Sequence, residues 1–278
     1  MSDAELLFET MGRVALIRLN RPQALNALTY AMLADIRRLV AQAENDPEVT
    51  AIAFVGEGRG FCSGLDAEVL RQTTTAGESR PREESSGASG APRANPDPPG
   101  MFSYLPKVSK PVISAVNGVA AGGGFVLAMM SDLRFGSDSA SFTTVFSKRG
   151  LIAEHGTSWL LPRLVGASRA LDLLWSSRRV HADEALRIGL LDRVFPADEL
   201  LAGLVAYVDE LAANVSPGAI AVMKSQVYRH LSESMDPALA DADRLTQAQL
   251  KHPDALEGAM SLIERRPPRF QPWTGEAS

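Results

Sequence analysis

An α/β core followed by a helical C-terminal region is what this 278-residue chain predicts, on three observations. Short apolar runs bounded by glycine or proline recur through the first half, as buried strands do. Two of these runs pass straight into glycine-rich turns that open helices. From Ala197 to Arg266 the chain keeps a helical pattern, broken near Pro217, Pro237 and Pro253. A strand-and-helix layer followed by helices alone is the pattern of an α/β core with a helical appendage. The expected division is a core over residues 1–200 and a helical region over 201–278.

Residues 6–10 and 14–19, separated by Met11-Gly12-Arg13, read as a β-hairpin that Asn20-Arg21-Pro22 ends. Residues 27–44 follow as a helix, with Leu28, Met32, Ile36 and Val40 at helical spacing. Residues 51–55 form a buried strand that enters Gly56-Glu-Gly-Arg-Gly-Phe-Cys-Ser-Gly-Leu-Asp66, read as a glycine-rich turn into a helix. Residues 73–100 hold no aromatic and no aliphatic larger than alanine, so they cannot bury enough to offset their ordering entropy. They read as a mobile insertion near the mouth of a site. Val112 to Val116 is a second buried strand, followed by Gly122, Gly123 and Gly124 and an apolar helix from Phe125 to Met130. Beyond Arg134 the chain reads as helical, with a helix over 182–188 ending at Gly189 and a short strand-like piece at 190–195.

Composition narrows the function classes. A hydrophobic fraction of 45% and a charged fraction of 22% are those of an ordinary globular chain. A net charge of -5 argues against a nucleic-acid surface. The single cysteine, Cys62, cannot form an internal disulfide and fits a reducing compartment. The acidic start, Met-Ser-Asp-Ala-Glu, lacks an export pattern, and no apolar run approaches a membrane span. A cytoplasmic protein with no membrane contact is expected. The histidines show no metal spacing, so no metal is expected.

The repeated strand–glycine–helix pattern carries the chemistry. Glycines at a helix start let a ligand approach the backbone, and the first helical amides have no internal partner and sit at the positive end of the helix dipole. Two such turns suit one carbonyl oxygen that gains negative charge: an oxyanion hole. The bland alternative is tight helix-on-sheet packing. A phosphate loop is excluded, because neither Gly-x-x-x-x-Gly-Lys-Ser/Thr nor Gly-x-Gly-x-x-Gly occurs.

Five segments together resemble the crotonase superfamily, the enoyl-CoA hydratase/isomerase family. They are Asn20-Arg-Pro-Gln-Ala-Leu-Asn-Ala-Leu28, Gly60-Phe-Cys-Ser-Gly-Leu-Asp66, residues 110–132, residues 185–194, and Glu257-Gly258 with Glu264-Arg-Arg-Pro-Pro-Arg-Phe270. The resemblance implies a spiral of ββα repeats with C-terminal helices that build trimers, often paired into hexamers. It implies an acyl-CoA substrate, with coenzyme A part of the substrate and no separate cofactor. It places the two oxyanion amides on Ser63 and Gly123, and the expected substrate pocket is lined by Gly122, Gly124, Val126, Phe146 and His155. It places coenzyme A along Gln23, Ala24, Leu25, Leu65 and Asp66. Ala24 stands where many members carry a basic residue; Arg21, Arg265 or Arg266 are the substitutes at hand.

The departures from the family pattern bear on mechanism. The two glutamates of its hydratases fall on Val126 and Phe146, neither of which transfers a proton. Glu154 stands where dienoyl-CoA isomerases of the family carry a catalytic aspartate. Between Ile152 and Trp159 it is expected to be poorly solvated, which would raise its pKa towards a working range. His155 either orients Glu154, acts itself, or is structural. The expectation is double-bond isomerisation or hydration with Glu154 as acid/base. The alternatives are a non-catalytic acyl-CoA-binding protein and another chemistry of the superfamily, such as hydrolysis or decarboxylation. Ser63 is not in a Gly-x-Ser-x-Gly elbow, Cys62 reads as a buried filler, and Asp66 as a helix cap.

Overall fold

The structure, a computed structural model, describes residues 4–76 and 100–273. The chain opens with the expected hairpin, β1 (Leu6–Met11) and β2 (Val14–Leu19), then α1 (Tyr30–Glu44). Next come β3 (Ala51–Gly56), β4 (Gly60–Cys62) and α2 (Ala67–Ala76), and after them β5 (Val112–Val116), β6 (Val119–Ala121) and α3 (Gly123–Met130). Then follow β7 (Leu133–Ser137), β8 (Ser141–Thr143), α4 (Thr157–Val165) and α5 (Ala167–Ser176). The core strands close with β9 (Val180–His181), α6 (Ala182–Arg187) and β10 (Arg193–Phe195). The helical end is α7 (Leu200–Asn214), α8 (Pro217–His230), α9 (Met235–Gln249) and α10 (Pro253–Glu264).

From β3 to β8 successive strands alternate between two sheets. One has the order β1-β2-β3-β5-β7-β10 and the other β4-β6-β8-β9. Within them β3, β5 and β7 are parallel neighbours, and so are β4, β6 and β8. Each pair β3–β4 and β5–β6 is followed by a helix, so the unit is ββα and its repetition winds a spiral. This is the crotonase-like α/β architecture that the resemblance implies.

Period-2 alternation decides what each face buries. Ala15, Ile17, Leu19, Ile52 and Phe54 face the second sheet, α1 and α3. Val14, Leu16, Ala51, Ala53 and Val55 face the other way, onto Leu200, Leu204 and Val208 of α7. The large sheet is therefore covered on both faces, as parallel sheets are. The boundary expected at 200/201 falls inside α7.

Several sequence expectations need correcting. α1 begins at Tyr30 rather than Ala27, because Thr29 caps it by accepting from the Met32 N–H. The Gly56–Asp66 stretch is not all turn, since β4 lies within it. The chain beyond Arg134 is not helical at first: it forms β7 and β8, too short to show alternation. The expected insertion at 73–100 is helical over its first four residues, as the end of α2; residues 77–99 lie outside the described residues.

The helical end is pinned to the core by charge. Lys224 of α8, almost fully buried, meets Asp132 Oδ2 at 2.6 Å and donates to the Lys110 and Leu105 carbonyls at 2.9 and 3.1 Å. Tyr228 donates to the other Asp132 oxygen at 2.9 Å. Met235, Leu239, Leu250, Leu256, Leu262 and Ile263 on and around α9 and α10 remain exposed. No helix among the described residues is long and apolar enough to cross a membrane.

Candidate active site

The site is built where two turns touch. At the first, the segment 21–28 lies beside residues 63–66. Leu25 and Asn26 are both left-handed, at φ 49° and 56°. Asn26, wholly buried, locks this bend: its Oδ1 accepts from Arg21 N–H at 2.9 Å, and its Nδ2 donates to the carbonyls of Gly60 at 2.8 Å and Glu57 at 3.0 Å. Ser63 N–H then donates to the Leu25 carbonyl at 2.9 Å. Leu28 N–H donates to the Gly64 carbonyl at 2.7 Å, and Asp66 N–H to the Leu28 carbonyl at 3.0 Å. In this parallel bridge Leu28 bonds to the residues on either side of Leu65. The peptide groups of Leu65 itself therefore face the opposite side.

The second turn packs against Gly64, the neighbour of Leu65. Gly122 (φ 50°) gives its N–H to the Thr143 carbonyl at 3.3 Å, and α3 starts at Gly123. As the first helical residue, Gly123 has no intrahelical acceptor for its N–H. Gly64, at φ +104°, is wedged against it: a Cβ there would stand 3.0 Å from the Ala121 carbonyl and 3.2 Å from Gly123 N. A Cβ on Gly124 would stand 2.2 Å from the Cys62 carbonyl, so only glycine lets α3 come this close. Among the described residues, the N–H groups of Leu65 and Gly123 have no hydrogen-bond partner.

This corrects one expected site residue. The Ser63 amide is already spent on Leu25, and its hydroxyl donates to the Ala24 carbonyl at 3.1 Å. The amide left free in the first turn is that of Leu65. Spacing could not reveal this, because the choice depends on the register of a distant segment.

Around the two amides the walls are apolar. Leu28 Cδ1 and Met101 Sδ each lie 3.2 Å from where a Cβ on Gly123 would stand. Val145 Cγ2 lies 3.3 Å from the corresponding point on Gly122, and Val145 itself is left-handed at φ 56°. That backbone is an outlier for a β-branched residue. Val126 and Phe146, at the positions of the family's glutamates, are buried in the core cluster, with Phe125 packed edge-on against Phe142.

Glu154 stands just before α4, half-buried, and its carboxylate has no hydrogen bond or ion pair among the described residues. The apolar screen expected from Ile152 is missing, since that side chain is 81% exposed. His155 is turned otherwise. Its Nδ1 accepts from the Met101 N–H at 3.2 Å, and burial holds its ring below the usual imidazole range against the weaker pull of the Glu154 charge. Met101 thus joins His155 to Gly123.

The residues expected to hold coenzyme A form one strip. Gln23, Ala24 and Leu25 lie on and just after a 3-10 turn over Pro22–Ala24, with Gln23 exposed, and Leu65 and Asp66 adjoin them through the pairing above. Asp66 caps α2, accepting from Glu68 N–H at 3.0 Å and from Arg21 at 2.9 Å, contacts that hold its carboxyl below the usual range. Arg21 is no substitute phosphate ligand: Asp66, Glu5 and the Ala27 carbonyl already hold its guanidinium. Arg266 is likewise held, by Glu257 through two hydrogen bonds and by Glu264. Arg265 is exposed. Burial pushes the Cys62 thiol up to about 12, the state of an inert filler.

His155 borders a cavity of about 1320 Å³, lined also by Met130, Gly156, Trp159, Leu160 and Tyr228. Neither Gly123 nor Glu154 lines it. Among the described residues no cluster of His, Cys, Asp and Glu is placed to hold a metal ion.

Known proteins resemble this chain over nearly its whole length. The family model for enoyl-CoA hydratase/isomerase matches residues 9–272. A probable enoyl-CoA hydratase of Mycobacterium bovis, echA8, is 33% identical over 270 residues, covering 97% of this chain and 99% of its own. The short-chain-enoyl-CoA hydratase of Clostridium acetobutylicum is 32% identical over 262 residues, 94% of this chain and 95% of its own. Among solved structures, an enoyl-CoA hydratase from Mycobacterium tuberculosis superposes with a TM-score of 0.83 at 25% identity, covering 98% of this chain and all of that one. A Geobacillus kaustophilus enoyl-CoA hydratase subunit reaches the same TM-score, 0.83, at 29% identity, over 97% of this chain and 99% of that one. With the spiral, the paired turns and these likenesses in agreement, the chain belongs to the enoyl-CoA hydratase/isomerase family of the crotonase superfamily.

Proposed function

We propose that the Leu65 and Gly123 amides grip the carbonyl oxygen of an acyl-CoA thioester while Glu154 moves a proton between carbons of its acyl group. The observation that carries this reading is that Leu65 and Gly123 both keep unspent N–H groups while Gly64, next to Leu65, is wedged against Gly123 N. Preorganised donors aimed at developing oxyanion charge are worth about 2.7–4 kcal/mol each. Proton abstraction from the carbon next to the double bond and the carbonyl yields a dienolate held on the two amides. The conjugate acid of Glu154 returns the proton at the far carbon, so the double bond shifts and nothing else is gained or lost. Val126 and Phe146 leave no carboxylate pair to activate water, which ranks isomerisation ahead of hydration. The reaction as written uses no group beyond the thioester and the chain's own residues.

The same two buried apolar residues favour a second reading, an acyl-CoA-binding protein without catalysis. One experiment separates them: assay of 2-enoyl-, 3-enoyl-, 2,4-dienoyl- and 3,5-dienoyl-CoA with wild type and Glu154→Gln. Turnover that falls about a hundredfold or more in the variant supports proton transfer by Glu154. Tight binding with no turnover, unchanged by Glu154→Gln, supports the binding protein.

Two further proposals follow from the surface and composition. The exposed apolar residues of α9 and α10 favour burial between subunits, and a homotrimer or dimer of trimers is the assembly we expect by sedimentation equilibrium. The lone buried Cys62 favours the cytoplasm.

A further inference from the structure

The proton transfer above makes no use of the His155 ring. His155 is left-handed at φ 52°, followed by Gly156 at φ 79°. Two such residues in a row turn the chain so that the imidazole meets the segment starting at Gly100. The backbone of His155 lies 3.5 Å from where a Cβ on Gly100 would stand. Because Nδ1 accepts from the Met101 N–H, the neutral ring carries its proton on Nε2. His155 lines the large cavity, and Met101 sets its sulfur over Gly123. Met101 thus links Gly123, over which its sulfur lies, to His155, which borders the cavity.

We propose that His155 is a positioning residue: its Nδ1 anchors the Met101 backbone, so that the Met101 side chain stands as a partition between the paired amides and the cavity. The partition limits how much acyl chain the site accepts. With Met101 in place, short acyl groups fill the space beside Gly123. With it displaced, a long chain passes into the cavity. The consequence for acyl length rests on the proposed function; the anchor itself does not.

Three variants test it. His155→Gly keeps the left-handed backbone and drops the acceptor. His155→Asn keeps both, because its Oδ1 takes the place of Nδ1 and asparagine tolerates this backbone. Met101→Ala removes the partition. Amide hydrogen exchange at Met101 in the ligand-free protein reads the anchor without turnover. Exchange that is faster in His155→Gly and restored in His155→Asn supports the anchor; unchanged exchange in His155→Gly overturns it. The ratio of kcat/KM for long-chain over short-chain enoyl-CoA reads the partition. It is expected to rise about tenfold in His155→Gly and in Met101→Ala, the scale of a pocket contact. The double variant should rise no further than Met101→Ala alone. An equal fall for both substrates, or additive effects, overturns the partition. Wild-type protein inert towards every acyl-CoA overturns the proposed function and the acyl-length consequence with it, and the exchange result still decides the anchor.

Discussion

The two glycine turns both carry a strand into a helix, yet each frees its amide by different means. At Gly123 the amide is free because a helix begins there, a purely local cause. At Leu65 it is free because the segment 21–28 pairs alongside and takes the amides of Ser63 and Asp66 but not that of Leu65. The first donor is set by helix geometry and the second by tertiary register. A local donor survives anything that leaves α3 intact. A register-set donor depends on every contact that holds residues 21–28 in place.

The largest expected effect tests that division directly. Replacing Leu65 with its α-hydroxy acid turns the N–H into an ester oxygen and leaves the side chain unchanged. On the proposed mechanism kcat falls about 10²–10³-fold, the cost of one oxyanion donor. Thermal melting should barely move, since that N–H has no protein partner to lose. Gly64→Ala is expected to match this loss by another route, because its Cβ would crowd Gly123 N at 3.2 Å in a left-handed backbone. Steady-state kinetics with melting curves on both variants checks the pair.

Next in size is the lock on the register. Asn26→Ala leaves the part-buried Glu57 carbonyl and Arg21 N–H without this partner, and the Gly60 carbonyl with only the longer 3.4 Å bond from Asn117. A buried group left unsatisfied costs about 1–3 kcal/mol, which urea unfolding reads as a lower midpoint. If the first turn depends on register as argued, this variant also loses turnover. A comparable loss of stability placed at the far side of the molecule, such as Leu204→Ala under the large sheet, should leave turnover of the folded protein alone.

How much of this the sequence made legible follows the same line between local and non-local causes. The hairpin, the buried runs of β3 and β5, and the helix opening at the triple glycine are all local patterns, and all stand near where periodicity puts them. The free amides at that helix start belong with them, while the choice of Gly123 among them comes from the family resemblance. What spacing could not show is which residue of Cys62-Ser-Gly-Leu-Asp66 keeps its amide, because Leu25 lies almost forty residues upstream and decides it by pairing. The three-residue strands β4 and β8 carry too few side chains to show alternation. Arg21 looks like a free cation in the sequence and is a half-buried clasp in the fold, since Glu5 and Asp66 converge on it only there. Met101 has no signal at all: it follows a polar stretch and meets Gly123 and His155 only through the fold.

The smallest expected effect is the sharpest discriminator, because it concerns the residue that the family resemblance marks. Ser63 spends its N–H on Leu25 and its hydroxyl on Ala24, both within the clasp and neither towards Gly123. An ester at Ser63 should therefore cost stability, about 0.5–1.5 kcal/mol for one hydrogen bond, and leave kcat in place. Ser63→Ala should cost no more than the same amount, since the hydroxyl is only part-buried and water replaces it in part. Set beside the Leu65 ester, the two form a crossed pair: one loses rate without stability, the other stability without rate. Were the Ser63 ester instead to lose kcat a hundredfold and the Leu65 ester to lose none, the register of residues 21–28 in solution would differ from the one described. The first donor would then be Ser63, and the contrast between a local and a register-set amide would give way to a turn whose pairing shifts when substrate binds.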